Sequence, residues 1–325
     1  MSFILRRLGF YLLAFWAALT LDFILPRLLP GDPVASLIAG MGSRLNAAQI
    51  TALREALGLI DEPLIIQYFT YLSHALRGDF GISYSSFPAP VSAVIGTGLM
   101  WTVLLGLCAL IVSFILGHII GIFAAWWRGS LLDKIAPALL NFIGAFPPFF
   151  LALLAVYVLG LTLQWFPTSH AYESGLEPGL NFEFLASVLH HMVLPLFVVI
   201  LVTIGPWTQG MRNVMIGVLA EDYITMAEAK GLRQNRIMLN YAARNAMLPS
   251  VTGFGIFLGF ILSGQVLIEQ VFAYPGLGFL LVRAVGSRDY PLVQGLFIMI
   301  TIAVLVANFM VDILYTRLDP RVSRG

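Results

Sequence analysis

The residues that could carry chemistry in this 325-residue chain are few and poorly arranged for catalysis. Lys134 and Lys230 are its lysines. A nucleotide-hydrolysing loop places Gly-Lys-Ser/Thr after a glycine-rich turn, so that backbone N–H groups and the lysine together hold phosphates. Lys134 instead follows Leu-Leu-Asp and Lys230 follows Ala-Glu-Ala. ATP hydrolysis by this chain is therefore not expected, and no nucleophile–base set or His-Glu-x-x-His pattern points to another enzyme. His190 and His191 are neighbours in sequence. Adjacent positions on a helix diverge by about 100°, so the two do not readily share one metal ion. His118 and Cys108 lie inside apolar runs, where packing is the expected role. Asp22, close to Arg27, and Glu269, just before Pro275-Gly276, are expected to order their surroundings rather than to bind cargo. The single cysteine also excludes a disulfide scaffold.

The elements that must position these residues are membrane helices. Hydrophobic residues make up 59% of the chain and charged residues 11%, far outside the range of a soluble domain. Backbone groups in lipid must be satisfied within the segment, which makes each apolar run a helix. Six spans are expected, at roughly 9–30, 98–126, 134–163, 188–212, 246–271 and 290–315. The first reads as a retained helix rather than a signal peptide, because no small-residue cleavage site follows it. Pro147-Pro148 is expected to kink the third, and Gly117, Gly121 and Gly205 to permit close helix contacts. Arg6, Arg7, Arg128, Lys134, Arg212, Lys230, Arg233, Arg236, Arg244, Arg317, Arg321 and Arg324 all fall on one side of this arrangement. The positive-inside rule then places both termini in the cytoplasm. The net charge of +1 gives no hint of nucleic-acid binding. Three parts result: a tail and first helix at 1–30, an external segment at 31–97, and a five-helix core at 98–325 with a loop at 213–245. The external segment holds an amphipathic stretch, Asn46 to Leu57, and is expected to cap the membrane domain.

The loop is the most informative stretch. Residues 221–249 read EDYITMAEAKGLRQNRIMLNYAARNAMLP. Glu221 and Asp222 stand where acids favour a helix N-terminus, and Gly231 is a natural end for that helix. Tyr223, Ala227 and Ala229 are expected to form a small-residue surface. A second helix from Asn235 to Leu248 would carry Arg236, Arg244 and Asn245 on its polar face. Physics alone leaves two readings open: a solvated connection between spans, or a helix shaped to sit in another protein's groove.

This segment resembles the cytoplasmic coupling loop of bacterial ABC importer permeases, in the form found in the dipeptide/oligopeptide/nickel permease family. That form reads approximately D-Y-x-x-x-A-x-A-K-G-L, then a basic helix, then R-N-A-x-L-P. The matching residues are Asp222, Tyr223, Ala227, Ala229, Lys230, Gly231 and Leu232, then Arg244, Asn245, Ala246, Leu248 and Pro249. A second block, EQVFAYPGLG and RDYPLVQG within 269–295, is similar to the family's E-x-V-F-x-x-P-G-x-G and R-D-Y-P-x-V-Q-G. Pro30 to Pro33, Leu57-Gly58-Leu59, Gln67-Tyr68, Gly78 to Gly81 and the ending Asp312, Tyr315, Asp319-Pro320-Arg321 also match, in order. Thr225 stands where the general coupling motif has an acid, and Met100-Trp101-Thr102 replaces a more usual Pro-x-Thr.

The resemblance implies an all-α polytopic membrane fold of six transmembrane helices, in the bacterial inner membrane. It also implies a homologous second permease, two ATPase subunits or domains that bind the ATP and magnesium, and an external substrate-binding protein. This chain itself would hold no cofactor. Coupling to the ATPases would fall to Glu221, Asp222, Tyr223, Ala227, Ala229, Lys230, Gly231, Leu232, Arg244 and Asn245. Peptides are the expected cargo, with oligosaccharides, opines or nickel as alternatives within the same importer type. An ion-coupled carrier is a more distant reading.

Overall fold

A computed structural model describes residues 2–28, 63–261 and 265–318, and every regular element among them is a helix. The expected amphipathic stretch Asn46–Leu57 and the Asp319-Pro320-Arg321 ending lie outside the described residues.

Apolar length sets the helices. α1 covers Ser2–Leu28 and contains an apolar span at Arg6–Ile24. α2 covers Leu64–Leu76. α3 runs over Val91–Trp126, starting earlier than residue 98 because the preceding residues are also helix-compatible and pack locally. α4 (Leu131–Gly144) is capped by Ser130, whose hydroxyl accepts the Asp133 N–H. α5 is α-helical over Pro148–Ala155 and π-helical over Val156–Thr162. The expected kink in the third span is larger than a kink: α4 and α5 are bent by 96°. Pro147 is extended (φ −56°, ψ 130°), so α4 stops and Pro148 starts a new helix at a position that needs no N–H donor.

α6 (Phe182–Leu219) exceeds the expected 188–212 at both ends. Its 38 residues extend about 57 Å, against a hydrocarbon core of about 30 Å. α7 covers Asp222–Ala229, and α8 covers 234–246. α9 (Leu248–Ile261) and α10 (Val266–Val271) occupy the expected fifth span, where Gln265 is non-helical. α11 (Leu277–Gly286) precedes α12 (Tyr290–Leu318). By length and hydropathy, three described helices qualify singly as spans, and the bent α4–α5 pair makes a fourth only if its two halves count as one span.

The chain divides into two compact units. In the unit built from Met1–Thr102, Leu262–Val266 and Pro275–Phe309, the first turns of α3 pack on α11 and the start of α12. Val91, Ile95, Leu277, Ala284, Leu292 and Leu296 are buried there. Thr102 joins this packing by accepting the Leu277 N–H at 2.8 Å, which caps α11. In the unit of Val103–Ile261, Leu267–Tyr274 and Met310–Gly325, α6 is the central rod. A Cβ on Gly121 would stand 2.6 Å from the Thr208 carbonyl oxygen, so only glycine lets α3 approach α6 this closely. His118 donates through Nδ1 to its own helix at Phe114 O, 2.7 Å away, and packs against Trp207.

Candidate functional site

The candidate site begins where α6 ends. Two buried methionines of α6, Met211 and Met215, enter an apolar cluster with Ile122, Ala125, Ile224, Ala227, Ile237 and Met238. Ile224 and Ala227 come from α7 and are each 3% exposed. Their three-residue spacing puts them on one helix face. That face docks the short helix onto its own subunit.

The remaining residues of α7 point outward. Tyr223 is 37% and Met226 58% exposed, and Glu221, Asp222, Ala229 and Lys230 are exposed as well. The expected small-residue surface of Tyr223, Ala227 and Ala229 is therefore divided. Ala227 is buried with Ile224 in the apolar cluster, whereas Tyr223, one turn before it, stays exposed. Met226 takes the outward place that sequence reasoning did not give it.

Both ends of α7 are built for a sharp stop. Glu221 is the N-cap in extended backbone, without a side-chain capping bond, and Asp222 puts an acid in the first turn. At the other end, the Gly231 N–H donates to Glu228 O (2.8 Å) and the Leu232 N–H to Ala227 O (3.3 Å). This pair of bonds is a Schellman ending. It needs a left-handed residue, and Gly231 has φ +70°. A side chain there would cost about 1–2 kcal/mol. Leu232 then turns inward and packs on the same cluster as Ala227.

α8 departs from the single regular helix expected over Asn235–Leu248. Gln234–Arg236 and Arg244–Ala246 are α-helical, whereas Ile237–Ala243 is π-helical. The apolar pairs explain this. Ile237-Met238 and Ala242-Ala243 are spaced by five, which leaves them about 140° apart on an α-helix. The wider π turn brings both pairs inward, and all four are buried. Arg236, Arg244 and Asn245 stay exposed, as the polar face requires. The Asn245 side chain donates to Tyr241 O at 2.7 Å. With Lys230 and Arg233, these residues give the loop an exposed basic edge.

A polar clasp lies one turn and more before the loop. Arg212 Nε on α6 meets Asp133 Oδ1 on α4 at 2.5 Å, and Asp133 Oδ2 also accepts the Gly129 N–H at 2.8 Å. The loop is thereby mounted on a rod that is fixed to the bent pair of helices. Neither residue stood out in the sequence, because nothing linear connects positions so far apart.

The other motif region, around Asp289, is built differently. Asp289 is fully buried. Its Oδ2 accepts the Ser83 hydroxyl (2.5 Å), the Ser85 hydroxyl (2.8 Å) and the Ser85 N–H (2.9 Å), while Oδ1 accepts the Leu292 N–H (3.2 Å). This carboxylate caps α12 and ties down the 82–90 segment. The histidines mostly find ordinary partners: His191 Nδ1 lies 2.9 Å from Ser187 O, and the His190 and His191 rings are 6.2 Å apart at 83°. Among the described residues, no group of three metal-binding side chains converges.

A family described as "Binding-protein-dependent transport system inner membrane component" matches residues 117–324, which include the whole loop. The chain belongs to this family. The permease is 35% identical to the oligopeptide transport system permease protein AppB of Bacillus subtilis, over 93% of each chain. It is 34% identical to the glutathione transport system permease protein GsiC of Salmonella typhimurium and 33% identical to GsiC of Escherichia coli, over 99% of each chain. It is thus a multi-pass inner-membrane component of an ABC importer, of a kind that works with an ATPase and a substrate-binding protein.

Proposed function

We propose that this permease forms half of a peptide pathway and that residues 221–232 are its contact with an ATPase subunit. The observation that carries this reading is the two-faced α7: Ile224 and Ala227 lock it to the permease, and Tyr223, Met226 and Lys230 remain free to meet a partner. The relatives named for oligopeptides and glutathione support peptides as cargo.

Two homologous permeases surround the pathway, two ATPase subunits or domains bind the ATP and magnesium, and a binding protein delivers cargo from outside. Both termini face the cytoplasm, in keeping with the concentration of Arg and Lys on that side. The chain is non-catalytic. Its parts are a first helix at 1–30, an external segment at 31–97 and a core at 98–325. Closure of the ATPase pair shifts α7, and the α6 rod carries that shift to α4 through Asp133–Arg212. A ligand or partner moves such an equilibrium only through different contacts with its two states, and the exposed edge of α7 supplies those contacts. Gly231 and Leu232 hold the helix end, while Arg244 and Asn245 extend the same surface.

The test is Met226→Arg in the assembled importer. Transport and transport-coupled ATPase activity should fall at least tenfold, with normal membrane levels of the chain and normal cargo binding by the isolated binding protein. Unchanged coupling would refute the assignment.

A further inference from the structure

α2 lies in the segment expected to form an aqueous cap, yet its chemistry does not suit water. Its sequence, LIIQYFTYLSHAL, contains no Asp, Glu, Lys or Arg, and none of its residues is buried. Ile65, Phe69 and Leu76 are 62%, 62% and 72% exposed. With Leu72 they form a stripe within about 60° of the helix circumference. The face that meets α1 is polar: the Tyr68 hydroxyl is 2.7 Å from Thr20 Oγ1, and the Tyr71 hydroxyl donates to Asp22 Oδ2 at 2.9 Å. The Phe23 ring packs against both tyrosines.

Those contacts fix the level of α2. Thr20, Asp22 and Phe23 lie inside Arg6–Ile24, the part of α1 apolar and long enough to span. A helix bonded to them sits at the level of the span's end near Ile24. Arg27 donates to Gln67 at 2.9 Å just beyond that window, where charged and amide groups belong in the headgroup layer. Tyr68 and Tyr71 are suited to the same boundary. At this level α1 also exposes Leu21 (60%) and Ile24 (41%).

We infer that α2 is embedded in the outer leaflet, with Ile65, Phe69 and Leu76 against lipid acyl chains. The inward polar face satisfies its hydroxyls on α1, and the outward face satisfies the membrane. The absence of charge on that face disfavours a water-soluble partner, whose docking surface would be wet until bound. The inference rests on α1 being a membrane span.

The test uses the permease assembled with its partners in a lipid bilayer. Cys108→Ala removes the native thiol, and Phe69→Cys or Ile65→Cys takes a nitroxide. Collision with oxygen, which partitions into lipid, is compared with collision with a water-soluble nickel chelate. A third label at Phe10→Cys, 72% exposed on α1, reports the span itself. The expected result is oxygen accessibility exceeding nickel accessibility several-fold at 65 and 69, as at position 10. High nickel accessibility at 65 and 69 would show a watery cap, and protection from both reagents would show a covering protein. Either overturns the inference. Nickel accessibility at position 10 as well would instead remove the membrane reading of α1.

Discussion

The 221–232 loop and the Asp289 region both carry family motifs, yet they are built by opposite rules. In the loop, Ile224 and Ala227 turn inward, while Met226 turns out together with the polar members. Around Asp289, the carboxylate is fully buried and collects donors from Ser83, Ser85 and Leu292, while its neighbour Arg288 is exposed. A motif therefore does not say which way a residue points. The buried carboxylate is a local fastening that pays for its desolvation with hydrogen bonds. The exposed edge makes few bonds within its own subunit, as a surface held ready for another protein should.

This contrast predicts different failures. Asp289→Ala should have the largest effect on stability. It strands buried or part-buried donors at Ser83, Ser85 and Leu292, and each orphan costs about 1–3 kcal/mol. The purified chain should melt at a clearly lower temperature, and Asp289→Asn should fall between the two. An unchanged melting temperature would show that the network contributes nothing.

Ala227→Arg comes next and sharpens the division within α7. Forcing a charge into that apolar cluster should cost about 3–5 kcal/mol and lower the amount of folded chain. Met226→Arg, one residue away, should leave the stability within about 0.5 kcal/mol of normal. If both variants fold equally well, the inward–outward assignment is wrong.

The smallest effect should come from Asp79, in the turn after α2. Its carboxyl is held below the usual carboxylate range by the hydrogen bond from His74, and further by the Gly81 N–H. The folded value is the lower one, so the contribution is complete above about pH 4 and fades as pH falls through the lowered value. The side chain is 59% exposed, which limits the contribution to below about 1 kcal/mol. Thermal melts of Asp79→Asn should show a slight loss at pH 7 that shrinks on acidification. A gap that widens toward low pH would contradict this sign.

Much of the helical architecture was legible because long apolar runs have one solution in lipid. Gly231 was readable as a helix end, and its φ of +70° shows why. Gly121 was readable as a close contact with another helix, although its partner Thr208 was not. Three features were hidden. The 96° bend replaces a modest kink because Pro147 takes extended backbone, a choice that the Pro-Pro pair permits without dictating. The π turn of α8 was concealed by an assumed α-helical period, although the spacing of Ile237-Met238 and Ala242-Ala243 encodes it. The Asp133–Arg212 and Ser83–Asp289 pairs are tertiary, and a single sequence records no such distance.

The central claim is that the outward edge of α7 meets an ATPase subunit. Met226→Cys in the Cys108→Ala background tests it most directly, labelled with a benzophenone maleimide whose photoexcited carbonyl inserts into a neighbouring C–H bond in the assembled importer. The account predicts an adduct with the ATPase, with little product from Ala227→Cys, whose side chain faces the permease core. Free labelling of position 226 by a bulky water-soluble maleimide throughout the transport cycle, with no ATPase adduct, would contradict it.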